Sequence, residues 1–256
     1  MEFIESKDNK TIKYIKKLKQ KKYRDIENKF IAEGWKFLVY DYIPELIIVK
    51  LDKSEDKKIR ELLEKFQCKK IIVSDKIFAD LSSQENSQGI IVIYNKKEQH
   101  IGSIKGDVIV LDDVSDPGNL GTIIRICDAT NFKNIIVTEN TVDAYNEKVV
   151  RATMGSIFNV NLYVLKKENI IQFLKEKNYS IISTCLSEDS QMYNKIKLEN
   201  KNAIVFGNEG NGISDDLIKI SNKKIIIPLL GKAESLNVAV ATGIVLYKMR
   251  EIEGVI

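Results

Sequence analysis

The chain has little of what metal and disulfide chemistry needs. Cys68, Cys127 and Cys185 stand far apart with no CxxC pair, and His100 is the only histidine. Zinc sites and disulfide frameworks are built from clustered Cys and His. Neither fits here, so no metal is expected, and the sparse cysteines suit a reducing cytosol. Three prolines and 13 glycines exclude a collagen-like or low-complexity chain. No apolar run reaches the roughly 18 residues of a membrane span. The N-terminus, MEFIESKDNKTIKYIKK, has no apolar secretory core. The expectation is a soluble cytoplasmic protein with no membrane partner.

What is present is enough apolar material for real cores, 44% of 256 residues, in one large domain or two ordinary ones. The net charge is only +4, but it is unevenly placed. Between Lys7 and Arg24 the basic residues are Lys7, Lys10, Lys13, Lys16, Lys17, Lys19, Lys21, Lys22 and Arg24, with Asp8 the only acid. A one-sign block favours a polyanion such as RNA, and a solvated helix face is the plainer alternative.

The apolar spacing predicts two successive α/β series. Residues 11–24 have helical spacing through Ile12, Ile15, Leu18 and Tyr23, and a second helical stretch runs from Glu33 to Val39. Short β-type runs follow at Leu46–Lys50, Lys70–Val73 and Gly89–Tyr94, separated by helical patterns at Ile59–Phe66 and Ser74–Leu81. Asn95–Asp107 is polar and carries His100, which nothing nearby orients for catalysis. The expected division is a smaller α/β domain over residues 1–98, a linker over 99–105, and a larger α/β domain over 106–256. Alternation of strands and helices in the second series argues for a parallel sheet.

Three polar blocks stand directly after predicted strands of the second series. The first runs from Leu111 through Asp112-Asp113-Val114-Ser115-Asp116-Pro117-Gly118-Asn119 to Arg125. Pro117-Gly118 forces a turn, and Asn119 is placed to cap the following helix. Taken alone, Asn119 reads as a cap and Arg125 as a surface ion-pair partner. The second block is Gly207-Asn208-Glu209-Gly210-Asn211-Gly212-Ile213-Ser214. Its glycines suit close approach to a ligand or turns with positive φ. Their order matches neither the dinucleotide fingerprint nor a P-loop. Acidic Asp215 and Asp216 after Ser214 would oppose a phosphate, so a nucleoside fits better than a nucleotide. The third block lies between Ile225-Ile226-Ile227-Pro228 and an apolar helical run, and consists of Gly231-Lys232-Ala233-Glu234-Ser235-Leu236-Asn237. Open α/β sheets bind ligands at such strand ends.

Together the blocks resemble the TrmH/SpoU family of RNA ribose 2′-O-methyltransferases, within the SPOUT superfamily. Asn119, Gly121 and Arg125 match its first motif. Gly207, Glu209, Gly210 and Gly212 match its second. Ile227, Pro228, Gly231, Ser235, Leu236 and Asn237 match its third. Arg151-Ala152-Thr153-Met154-Gly155-Ser156 is similar to a family segment between motifs. The likeness covers residues 106–256. Glu33-Gly34 and Gln88-Gly89-Ile90 resemble the L30e-like substrate-binding domain that often precedes this catalytic domain.

The resemblance implies a trefoil knot in the larger domain, a homodimer with its active site near the subunit interface, and S-adenosylmethionine bound in the knot, with Gly207, Ile227 and Leu236 implicated. It implies methyl transfer to a ribose 2′-hydroxyl, in ribosomal RNA first and transfer RNA second. A non-catalytic RNA-binding assembly factor of the same fold is the competing reading. Arg125 is the family's catalytic arginine. A guanidinium stays charged in proteins, which favours holding a phosphate and stabilising a developing alkoxide, although the family often casts it as a base. Asn119 and Asn237 would orient ribose hydroxyls or Arg125, Ser235 would relay a hydrogen bond, and Glu209 would pair with Arg125 or hold its loop. For Glu209 and Ser235, loop architecture is the alternative.

Overall fold

A computed structural model describes all residues, Met1–Ile256. The chain divides into two compact units, Met1–Glu98 with Tyr145–Phe158, and Gln99–Ala144 with Asn159–Ile256.

The first unit contains β1 (Glu2–Ile4), α1 (Lys10–Leu18), α2 (Lys21–Glu27), β2 (Lys29–Glu33), β3 (Leu46–Lys50), α3 (Lys57–Glu64), β4 (Lys69–Val73), α4 (Asp75–Leu81) and β5 (Ile90–Asn95). Its sheet has the order β1-β4-β3-β5-β2. β1 and β3 run parallel to β4, and β5 runs antiparallel to both β2 and β3. Ile12, Ile15 and Leu18 of α1 are buried, as their spacing predicts, and join Ile48, Ile71, Phe78 and Ile93 in one core. Each such side chain contributes about 2 kcal/mol through lost contact with water.

Two expectations fail here. The helical run over residues 11–24 is two helices, broken at Lys19-Gln20. Arg24 explains the break. It is buried, and its guanidinium donates to the carbonyls of Leu18 (3.0 Å) and Lys19 (2.6 Å), satisfying the orphan end of α1. The expected helix from Glu33 to Val39 is instead the end of β2 followed by a short 3-10 turn at Trp35–Val39. Gly34, at φ +124°, separates the two, a conformation side chains rarely adopt.

The second unit begins with β6 (Val108–Leu111), α5 (Pro117–Ala129) and β7 (Asn134–Thr138). The intervening α6 (Glu147–Thr153) belongs to the first unit. There the Tyr40 hydroxyl donates to the Met154 carbonyl at 3.0 Å, and a Cβ at Gly155 would fall 2.0 Å from the Tyr40 ring. The 151–156 segment thus has an architectural reason for its glycine. The second unit continues with β8 (Asn161–Leu165), α7 (Lys167–Glu176), β9 (Ser180–Thr184), β10 (Gln191–Met192), β11 (Asn202–Phe206), α8 (Asp215–Lys219), β12 (Lys223–Ile226) and α9 (Val238–Ile252). Its sheet, β10-β12-β9-β11-β6-β7-β8, is parallel throughout. Parallel sheets bury both faces, which is why VIVL and the interiors of NIIVT and NAIVF are apolar without alternation.

Strand order reverses between β6 and β11. From β6 the chain winds outward to β7 and β8, then returns to build β9, β11 and β12 on the other side. This switch point is where an open α/β sheet leaves a crevice at its carboxyl ends. All three polar blocks follow strands on this side, after β6, β11 and β12.

Candidate active site

Asp116, not Asn119, caps α5. Its carboxylate accepts from the Asn119 N–H at 2.8 Å, with Pro117 in the first turn. Proline is pre-organised there and lacks a donor the helix could not use. The aspartate one residue before Pro117 outranks an asparagine two residues after it, and the Asn119 side chain is left free for other work.

That work joins the three blocks. The Glu209 carboxylate accepts from the Ser115 N–H (3.2 Å) and hydroxyl (3.1 Å), the Asp116 N–H (3.3 Å), and the Asn119 side-chain amide (2.8 Å). Asn119 Oδ1 accepts in turn from Asn237 Nδ2 at 2.8 Å. Asn237 Oδ1 caps α9 by accepting from the N–H groups of Ala239 and Val240. One hydrogen-bond chain therefore runs Glu209–Asn119–Asn237 across residues up to 118 apart in sequence. Partial burial pushes the Glu209 carboxyl up, but its side-chain and backbone donors outweigh this and hold it below the usual glutamate range. It is an acceptor-only group at neutral pH.

Sequence reasoning missed Asn208, Ser115 and Asp116. Asn208 donates to the Asp113 carbonyl at 2.7 Å and accepts from the N–H groups of Gly210 and Asn211, pinning the glycine loop to the loop after β6. The signal was an asparagine opening a glycine turn. Gly207 is buried where the chain folds back on itself. A Cβ there would lie 2.2–2.3 Å from the backbone of Gly212 and Ile213. Gly212 supplies the positive φ, +69°.

Arg125 lies outside this chain of contacts. It is exposed on α5, six residues beyond Asn119, and makes no hydrogen bond or ion pair. Glu209 holds its loop rather than pairing with Arg125, and the ion-pair reading of Arg125 fails for the same reason. Its helix is nonetheless firmly placed. α9 packs along α5, and Arg250 of α9 stacks its guanidinium 3.7 Å from the Phe132 ring centroid while donating to the Thr130 and Asn131 carbonyls.

Beside the polar chain is a pocket of 410 Å³ at the carboxyl ends of β9 and β12. Ile225–Ile227, Leu229, Leu236 and Val245 form apolar walls, with Cys185, Glu234 and Ser235 adding polar groups. Of the sequence-predicted cofactor residues, Ile227 and Leu236 line it and Gly207 does not. Ser235, expected among the catalytic groups, also lies on its wall. Between Leu229 and Leu236 no backbone group bonds to backbone elsewhere, so this edge keeps free donors and acceptors. An apolar slot, an open backbone edge and one carboxylate suit a flat base with a cationic tail. S-adenosylmethionine has that chemistry, and the residues fit it.

Loops gathered at the switch point of a parallel sheet, beside such a pocket, define a nucleoside-binding α/β enzyme. Comparison with known proteins narrows the class. Residues 107–247 match the SpoU rRNA Methylase family, and residues 9–92 match the MRM3-like substrate binding domain. The chain is 33% identical over 252 residues to 23S rRNA (guanosine(2553)-2′-O)-methyltransferase RlmP of Bacillus subtilis, covering 98% of this chain and all of the relative. It is 32% identical over 146 residues to tRNA (guanosine(18)-2′-O)-methyltransferase of Aquifex aeolicus, covering 55% of this chain and 67% of that one. The AdoMet-bound rRNA methyltransferase of Sinorhizobium meliloti superposes with a TM-score of 0.86 at 29% identity over 98% of both chains. The chain belongs to the SpoU rRNA methylase family. It is an S-adenosylmethionine-dependent RNA ribose 2′-O-methyltransferase.

Proposed function

We propose that the protein methylates a ribose 2′-hydroxyl of ribosomal RNA of the 23S type, acting as a cytoplasmic homodimer. The observation that carries this reading is the Glu209–Asn119–Asn237 chain, which locks three loops together while leaving Arg125 unpaired. No helix is long and apolar enough to cross a membrane. The full-length match to a relative named for 23S rRNA favours ribosomal over transfer RNA.

Residues 1–98 bind the RNA substrate, 99–105 link, and 106–256 form the methyltransferase domain with its trefoil knot, lending Tyr145–Phe158 to the first compact unit. Ile227 and Leu236 would hold S-adenosylmethionine through their backbone, Gly207 allows the close approach of the Gly212–Ile213 backbone, and Glu234 on the same pocket wall would favour a cationic group. Bound there, the cofactor supplies an electrophilic methyl group. Arg125 holds the target phosphate and stabilises negative charge growing on the 2′-oxygen. Asn119 and Asn237 fix the ribose hydroxyls and Glu209 keeps Asn119 aimed; as the O–CH3 bond forms and the S–CH3 bond breaks, the 2′-hydroxyl proton passes by way of the exposed Ser235 hydroxyl to water. Leu229, Leu230, Val240 and Tyr247 are exposed large side chains on the third loop and α9. A second copy covering them would complete the site around Arg125.

The test is mapping of 2′-O-methylation across total RNA with and without the gene. Loss of one ribosomal mark is expected. Loss of a transfer-RNA mark moves the substrate, and no lost mark favours a non-catalytic factor. With purified protein, Arg125→Ala should lower methyl transfer by about 10³-fold and leave cofactor binding near normal. Equal loss of both would mean a folding or dimer defect.

A further inference from the structure

The lysine block is not one uniform surface. Lys7 and Lys16 pair with Asp80 at 3.0 and 2.6 Å, and Arg24 is buried as a cap. Lys29 is held by Glu45 (2.7 Å) and the Tyr14 hydroxyl (3.1 Å). Lys13 pairs with Asp8 at 2.8 Å, but both side chains are exposed, so that pair is weak. Lys10 and Lys17 have no acidic partner. Lys19, Lys21 and Lys22 have no acidic partner either, but of the lysines without a strong ion pair it is Lys10, Lys13 and Lys17 that share one groove.

That side has a shape. A groove of 390 Å³ between α1 and α2 is lined by Lys10, Lys13, Tyr14, Lys17, Tyr23 and Ile26, with Glu27 as its one acid. Tyr23 is half-buried, with the Lys17 ammonium 5.6 Å from its ring centroid. Ile26 is 66% exposed. An exposed isoleucine and two tyrosine rings among three lysines are not what a merely solvated face needs. A solvated face needs only the lysines.

We propose that this groove is a binding site for an unpaired nucleotide of the RNA substrate. The base stacks against Tyr23 and Ile26, and Lys10, Lys13 and Lys17 carry the flanking phosphates. Paired RNA is recognised through backbone and 2′-hydroxyl contacts and hides its base faces. Aromatic side chains set among cations are useful for bases that are splayed out. The inference rests on the reading of the protein as an RNA methyltransferase, and it names the class of RNA element that the first unit selects.

The test uses full-length protein and two probes, a short unstructured RNA oligonucleotide and a blunt RNA duplex, with binding followed by fluorescence anisotropy across a salt series. Replacing Lys10, Lys13 and Lys17 together by glutamine should weaken the single-stranded probe more than tenfold and flatten its salt dependence by about 2 in log–log slope. Tyr23→Ala should weaken it about tenfold, and Tyr23→Phe should restore it, because stacking needs the ring and not the hydroxyl. Lys57→Gln with Lys65→Gln, at the start of α3 and just past its end, removes charge elsewhere on the same unit and should change little. Cofactor binding by every variant should match the wild type. Wild-type affinity in the Tyr23→Ala and triple-lysine variants, or an equal loss for the duplex, overturns the groove alone. A wild-type protein that binds neither probe nor purified ribosomal RNA overturns the methyltransferase reading as well.

Discussion

Two glutamates, one in each unit, stand at or just beyond the end of a strand and precede a glycine, and they serve different purposes. Glu33 is the last residue of β2 and is buried. It accepts from the Ser82 hydroxyl (2.5 Å), the Ser83 N–H (3.0 Å) and hydroxyl (3.2 Å), and the Ser87 hydroxyl (2.6 Å). Glu209 follows β11, is exposed, and accepts a similar set of donors around Ser115, Asp116 and Asn119. All of Glu33's donors come from the single loop that enters β5, so the contact closes on itself. One of Glu209's donors, Asn119, has a free end that reaches Asn237 in a third loop. The same carboxylate chemistry closes a fold in one place and assembles a site in the other. The difference lies in burial and in what the donor does with its remaining atoms.

Mutation should separate the two roles. Glu33→Ala removes the shared acceptor of partly exposed serine donors and should lower stability by about 2 kcal/mol, while activity per folded molecule stays near wild type. Glu209→Ala should lower methyl transfer by about 10²-fold with a much smaller change in denaturation midpoint. Chemical denaturation and single-turnover methylation, run on both variants, test the pair. A swap of the two phenotypes would erase the distinction.

The glycines after the two glutamates sharpen it further. Gly34 has φ +124°, and a Cβ there would sit 2.9 Å from the Gln88 Oε1. Gly210 has no such φ, and a Cβ would meet Asn208 Oδ1 at an ordinary 3.5 Å. Gly34→Ala should therefore cost about 1–2 kcal/mol, and Gly210→Ala should be within about 0.5 kcal/mol of wild type. Thermal unfolding of both proteins decides this. A costly Gly210→Ala would mean that the loop adopts a second conformation.

The sequence carried the three blocks because Pro, Gly and Asn cluster where strands end, and clustering is local. The strand-and-helix alternation was legible for the same reason, since VIVL and Ala203–Phe206 are continuous apolar runs. What stayed hidden was short or non-local. β1 has three residues and β10 two, too few for a period to register. β2 was lost because Phe30-Ile31-Ala32 is a short apolar run that periodicity cannot assign. The pairing of Asn119 with Asn237 depends on strand order, and so does the membership of Tyr145–Phe158 in the first unit. The mistaken cap at Asn119 was a local error, a choice between two good capping residues that Pro117 settles in favour of Asp116.

Acid provides the gentlest probe of the comparison. The folded pKa of Glu209 lies below the ordinary glutamate value of 4.5, because the donors of the first loop favour its charged form despite partial burial. A carboxyl with a depressed folded pKa contributes stability above its unfolded pKa, and the contribution is lost as pH falls through the folded value. Glu209 is exposed, so solvent screening keeps the effect small. The stability difference between wild type and Glu209→Gln should be constant at neutral pH and should close as pH drops below about 4.5. Loosening of the Ser115–Asn119 loop, followed by amide exchange, should occur over the same range. A difference that grows with acid would show that the loop prefers a protonated Glu209. The Asn119 amide would then be pointing its oxygen at the carboxyl, and the chain to Asn237 would run in the opposite sense.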